Sequence, residues 1–274
     1  MARRSRCSRR WPHLLLALGL ASLTLAACGG AGPSASATPS TPSPPASTTA
    51  GADIRVLMMG NSHTSVNGLP QRLQAMLLAA RPGKTVAVTV APDSLFLDEH
   101  LLNTRTLQLL EGQTWSAVIL QAQKYSTSGL NTYPTQEAET LVRMARQSKA
   151  LPVLFPEWPR REVAETDRIY NLHVSIARKE PACVAPMGQA WDLAAQRHPG
   201  LELYAADGNH AAPAGAHLSA LILFATLTSV PPNSLPTLSP SDIPAAVQEQ
   251  LKQVVTDTVQ TLAPRTHCLA DTPL

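Results

Sequence analysis

The 274-residue chain has no Cys/His cluster with metal-ligand spacing and no His-Glu-x-x-His, so the sequence gives no support for a metal site. No segment repeats along it. Cysteines are scarce: Cys7, Cys28, Cys183 and Cys268 are the whole set. Long apolar runs are missing too. The most prominent, residues 14–27, falls short of the ~20 residues that cross a bilayer comfortably. A basic surplus is only nominal. The formal charge is +3, and Arg3, Arg4, Arg6, Arg9 and Arg10 precede Cys28 with no acidic residue among them; without those five, about −2 remains. A near-neutral to slightly acidic domain has no electrostatic footprint for nucleic acid, so no nucleic-acid partner is expected.

What is present begins with a leader. Five arginines, the apolar stretch 14–27 and Leu25-Ala26-Ala27-Cys28 follow in the order of an export signal. The last four residues resemble the bacterial lipobox, which implies a signal peptide over residues 1–27 and lipidation of Cys28. An ordinary secretory signal with a chance cysteine is the alternative, and Sec or Tat export stays open. Residues 28–50 are almost entirely Gly, Ala, Pro, Ser and Thr. Such a composition cannot bury enough apolar surface to offset ordering and reads as a disordered tether, with a reach of roughly 70 Å at about 3.1 Å per residue.

The remaining residues, 51–274, suffice for one well-cored domain. Apolar runs at 54–59, 85–90, 117–120, 151–155 and 183–185 read as strands. Helical patterns occupy 69–80, 136–147, 163–179, 188–197 and 245–262, with a further helix around His100 and an apolar, buried one through 218–227. Strands separated by helices predict an α/β domain: a three-layer α/β/α sandwich around a central parallel sheet, flavodoxin-like in architecture. In an exported domain, Cys183 and Cys268 are expected to form a disulfide tying the C-terminal tail to a core strand; two free thiols are the alternative.

Two segments carry chemistry. Gly60-Asn61-Ser62-His63-Thr64 directly follows the first strand, and Asp207-Gly208-Asn209-His210 precedes the long apolar helix. Ligands of open parallel sheets bind beyond the carboxyl ends of the strands, where both should fall. Ser62 offers a nucleophile, His210 a base, and Asp207 the carboxylate that orients it. Asn61, Ser62 and Thr64 could equally be turn and cap residues, and Asp207 could simply cap a helix start beside a solvated His210.

In order and local context these blocks resemble the SGNH (GDSL-type) hydrolases over about residues 54–227, with Asn61 where Gly-Asp-Ser is common. The α/β-hydrolase elbow is excluded, because Thr64 stands where its second Gly is needed and Asp207 and His210 are close neighbours. The resemblance implies a triad of Ser62, His210 and Asp207. It also implies an oxyanion hole of the Ser62 N–H, a Gly N–H and an Asn amide. No Gly lies at 92–97, so Ser94 or Leu95 N–H would substitute. Leu120-Gln121-Ala122-Gln123 replaces the usual Gly-x-Asn-Asp, so Gln121 or Gln123 is expected to donate the amide hydrogen bond.

His63, His100 and Trp158 are candidate substrate contacts, the last beside Glu157 at another strand end; turn, cap and packing roles are their bland counterparts. No cofactor is expected. The implied function is an exported serine esterase, lipid-anchored at the cell envelope on the outer face of a bacterial membrane or in the periplasm. It would cleave O-acyl esters, acetyl included, on a polysaccharide. A lipid or lysophospholipid esterase, and a glycan-binding domain that has lost turnover, are the alternatives.

Overall fold

The computed structural model describes residues 51–274. The expected signal peptide, the lipidation of Cys28 and the 28–50 tether lie outside the described residues. Five strands, β1 (Ile54–Met59), β2 (Val86–Val90), β3 (Ala117–Gln121), β4 (Leu151–Phe155) and β5 (Cys183–Val184), form one parallel sheet in the order β2-β1-β3-β4-β5. Eight helices accompany them: α1 (Leu69–Ala80), α2 (Leu97–Leu102), α3 (Thr104–Glu111), α4 (Gln136–Gln147), α5 (Thr166–Lys179), α6 (Met187–Arg197), α7 (Pro213–Thr228) and α8 (Ala245–Thr261).

The strand sequences explain the layering. A sheet buried on both faces reads as continuous apolar runs, and alternate residues serve opposite faces. Along β1, Ile54, Val56 and Met58 enter one core with α1, α6, α7 and α8. Leu57 and Met59 enter the other with α2, α3, α4 and α5. The expected three-layer α/β/α sandwich is therefore the observed one. No helix among the described residues is long and apolar enough to cross a membrane.

The apolar helix α7 is buried from Ala214 through Thr228 because it runs between α1 and α8 on the sheet. Its buried hydroxyls are satisfied locally. Thr226 and Thr228 donate to the carbonyls of Ile222 and Phe224, and Ser219 accepts from the Trp191 indole at 3.1 Å. Gly215 in its first turn permits close packing: a Cβ there would meet the Leu203 carbonyl at 2.2 Å and Trp191 at 2.5 Å.

Cys183 on β5 is bonded to Cys268, across 85 residues, with Cα atoms 5.0 Å apart. The same tail hydrogen-bonds the sheet edge, Val184 N–H donating to the Pro264 carbonyl at 2.9 Å, and Asp271 takes a bidentate pair from Arg146. The short edge strand is thus paired with β4 on one side and covered on its outer side by the C-terminal segment rather than by another strand.

Candidate active site

The chain leaves β1 through Gly60 into a single tight turn, Ser62–Thr64. Asn61 caps it. Its side-chain oxygen accepts the His63 N–H at 3.1 Å, and its carbonyl accepts both the Thr64 N–H and the Thr64 hydroxyl. Gly60 is required by a neighbour: a Cβ would sit 2.3 Å from Gln121 Oε1 and 2.7 Å from Thr64 Cγ2. The turn leaves Ser62 exposed, and no described residue accepts its N–H.

The second segment is a compact loop closed by an isolated antiparallel bridge between Tyr204 and Ala211. Ala205 N–H donates to His210 O at 2.8 Å, and Gly208, at φ 68°, supplies the left-handed residue the turn needs. Asp207 serves the loop and the imidazole together. One oxygen accepts the N–H groups of Asn209 and His210, each at 2.9 Å, while the other is 2.6 Å from His210 Nδ1. The His210 bond first, then the two backbone N–H groups, hold the Asp207 carboxyl well below the usual carboxylate range.

The two segments meet. His210 Nε2 lies 2.8 Å from Ser62 Oγ, so Ser62, His210 and Asp207 form one hydrogen-bonded line. An imidazole fixed by a carboxylate on Nδ1 presents a basic Nε2 to the hydroxyl, the arrangement that activates a serine.

The other candidate residues fall elsewhere. Gln121 is fully buried; its Oε1 accepts the Asn61 N–H at 2.9 Å and its Nε2 donates to Glu157 Oε2 at 3.0 Å. Gln123 spends both amide hydrogens on the carbonyls of Lys124 and Pro134, at 3.0 and 2.9 Å. Neither amide is presented to an oxyanion, so the expected oxyanion role of Gln121 and Gln123 is corrected: the first braces the nucleophile turn, the second ties down the loop after β3. The Leu95 N–H is committed to Gly60 O at 3.3 Å. Donors left without partners among the described residues include the Ser62 N–H, the Asn61 side-chain amide and, on the neighbouring segments, the Ser94 N–H and the Asn209 amide.

His100 is buried and its Nε2 meets the Gly60 carbonyl at 3.1 Å while Nδ1 meets Thr106 Oγ1. Burial lowers its pKa, and a neutral ring satisfies both contacts, donating to Gly60 and accepting from Thr106. It anchors the strand end and does not line the cavity. Trp158 is likewise corrected: only 2% exposed, it stacks on Trp191 at 4.5 Å and donates to the Asn209 carbonyl at 2.8 Å. No face is free for a ligand, and the ring instead props the His210 loop.

His63 does line the cavity. Its ring stacks on His210 at 5.0 Å, tilts against Trp158 at 4.9 Å, and faces Asn61 Oδ1 through Nδ1 at 3.1 Å. Burial, then the neighbouring His210 charge, push its pKa down to about 4, keeping it neutral beside the base.

A cavity of about 520 Å³ opens beside the serine, lined by Asn61, His63, Asn209, Tyr125, Tyr133 and Glu157 among others. Ser62, Asp207 and His210 themselves line neither this cavity nor a hollow of about 610 Å³ that shares Arg160 with it; the cavity is set apart by holding their chain neighbours Asn61, His63 and Asn209. Glu157 matters more to this site than its place in the sequence suggests. It stands two residues after β4, at the same carboxyl edge as Ser62, and that strand-end position is the signal sequence reading could have weighed. Among the described residues, no group of three His, Cys, Asp or Glu could hold a metal ion.

No family model matches the chain, and no curated protein matches it. Solved structures do. A DUF4886 family protein from Bacteroides uniformis superposes with TM-score 0.58 at 16% identity, over 78% of this chain and 96% of that one. A protein of Slackia heliotrinireducens provisionally assigned as an SGNH hydrolase gives TM-score 0.49 at 28% identity, over 63% of this chain and 98% of that one. The acetylxylan esterase Axe2 of Geobacillus stearothermophilus gives 0.47 at 14%, over 65% and 94%. The fold is that of the DUF4886 family protein. Within this fold the serine turn after β1 and the Asp-x-x-His loop before α7 stand at one rim of the sheet. At these identities the likeness concerns architecture, and chemistry has to be argued from the side chains.

Proposed function

We propose that the protein is a serine esterase. The observation that carries this reading is the line Ser62 Oγ–His210 Nε2–Asp207, with bonds of 2.8 and 2.6 Å; the chain neighbours Asn61, His63 and Asn209 line a cavity. His210 takes the Ser62 proton as Oγ attacks the ester carbonyl, and Asp207 balances the imidazolium that forms. The oxyanion is received by the Ser62 N–H and the Asn61 amide, donors without partners on the nucleophile turn itself. The imidazolium protonates the departing alcohol, and a water activated by the same ring then releases the acyl group from Ser62. The substrate class is O-acyl esters, acetyl included, of carbohydrate, with the protein exported and held at the envelope through Cys28.

A glycan-binding domain without turnover is the second reading, favoured by the engagement of both glutamine amides. One assay decides between them: release of 4-nitrophenol from its acetate by wild type and Ser62→Ala, together with covalent labelling by a fluorophosphonate. Turnover should fall by roughly 10³-fold or more in the variant, and label should appear on Ser62 alone. Equal background rates in the two proteins, with no label, leave the binding reading.

A further inference from the structure

We propose that Glu157 is the specificity-determining residue of this site: its free carboxyl oxygen receives a hydroxyl of the substrate, so that the enzyme selects esters of polyhydroxylated alcohols over esters of bare alkyl or aryl alcohols. This rests on the esterase reading above and assigns the selection of its alcohol to one side chain.

Placement comes first. The cavity that Glu157 lines is walled by Asn61 and His63, the chain neighbours of Ser62, and by Asn209, the neighbour of His210. His63, whose ring stacks on His210 at 5.0 Å, joins this cavity to the triad. The second element is an unmet requirement. The Glu157 side chain keeps only 15% of its surface. Its Oε2 accepts from Gln121 Nε2 and lies 3.9 Å from His63 Nδ1, while no described residue donates to Oε1. Oε1 has no donor among the described residues yet is not fully buried, so its donor must come from the side left open, the cavity that Glu157 lines.

Bracing Gln121 does not by itself call for a carboxylate. Any acceptor of that shape would orient the amide. A carboxyl buried near Glu165 is an expensive choice, and what it adds is a group that accepts strongly from a hydroxyl when ionised and can donate to one when protonated. The rest of the wall agrees. Phe96 and Tyr133 expose rings suited to the C–H face of a polyol ring. The cations are already neutralised, Lys124 by Asp98 at 2.6 Å and Arg160 by Glu165 at 3.1 Å. A phosphate-bearing lipid headgroup would have to break those pairs, whereas a neutral polyol does not.

The test compares two acetates of similar size, methyl 6-O-acetyl-glucopyranoside and cyclohexyl acetate, by acetate release from wild type and Glu157→Gln. The glutamine keeps an acceptor for Gln121. Wild type should prefer the sugar ester, and the variant should lower the ratio of the two kcat/KM values by roughly 10- to 100-fold, mostly through KM. A parallel titration follows methyl glucopyranoside binding by ligand-observed NMR in Ser62→Ala, with and without Glu157→Gln; binding should weaken by a similar factor. An unchanged ratio, whether both rates fall together or neither moves, overturns the proposal and leaves the esterase reading standing. If wild type cleaves neither acetate, the titration alone decides Glu157: binding insensitive to the substitution, or no binding, overturns it, and the esterase reading is judged separately by 4-nitrophenyl acetate turnover and labelling of Ser62.

Discussion

Replacing Glu157 by glutamine should stabilise the folded protein, and should do so only as the pH rises. Burial first, and the nearby Glu165 second, raise the Glu157 pKa from 4.5 to about 7. At about 1.4 kcal/mol per pKa unit, ionising this carboxyl in the fold costs about 3 kcal/mol more than ionising it in the unfolded chain. The 15% of its side chain left to water makes that the upper end. Between the two pKa values the folded protein holds a proton that the unfolded chain has released, so stability falls as pH rises through this window.

Glutamine cannot ionise, and its amide oxygen can still accept from Gln121 Nε2. The variant and wild type should therefore lie within about 1 kcal/mol at pH 5. By pH 8 the variant should lead by about 3 kcal/mol, or roughly 6–12 °C in Tm for a domain of this size. Urea and thermal melts of both proteins from pH 5 to 8 measure this. Every other titrating group acts on both proteins alike, so the difference isolates Glu157. Parallel profiles, or a wild type that gains on the variant with rising pH, would refute the argument that the carboxyl is buried at a cost.

Three further outcomes are expected. Gln123→Ala should lower aryl acetate turnover by less than about 10-fold, because its amide holds the loop after β3; a loss of roughly 10²- to 10³-fold would restore it to the oxyanion hole. Trp158→Phe removes the donor to the Asn209 carbonyl, so kcat should fall by roughly 10-fold or more, with about 1–3 kcal/mol of stability lost; unchanged kcat would free the His210 loop from its prop. Reducing the Cys183–Cys268 bond, which closes 85 residues, should cost roughly 4–5 kcal/mol by chain entropy. A melt unaffected by full reduction would show that the tail's other contacts suffice.

Much of the architecture was legible because it rests on local chemistry. A run such as Ile54-Arg55-Val56-Leu57-Met58-Met59, apolar but for Arg55 near its start, suits a strand covered on both faces, and it became the sheet's second position. The Asp207–His210 spacing was legible for a similar reason, since three residues through a glycine turn bring the two side chains together whatever surrounds them.

Partners set by distant segments were not legible. Gln121 and Gln123 carry the same amide two residues apart. Which way each points depends on Gly60, Glu157 and Pro134, residues brought near by strand pairing and by a loop. Trp158 looked like a ligand contact because it follows a strand end, and His100 because its helix follows the loop after β2. Tertiary packing instead turned one toward Trp191 and the other toward the Gly60 carbonyl.

Sequence alone therefore determined the layered parallel sheet, the rim on which Ser62, Asp207 and His210 lie, and the cysteine pair available for bonding. These follow from periodicity and short-range geometry. The tertiary structure decided which polar atoms remain free at that rim. Hydrogen bonds saturate, so a donor's availability depends on every group folded against it. It left the Ser62 N–H, the Asn61 amide and one Glu157 oxygen without partners.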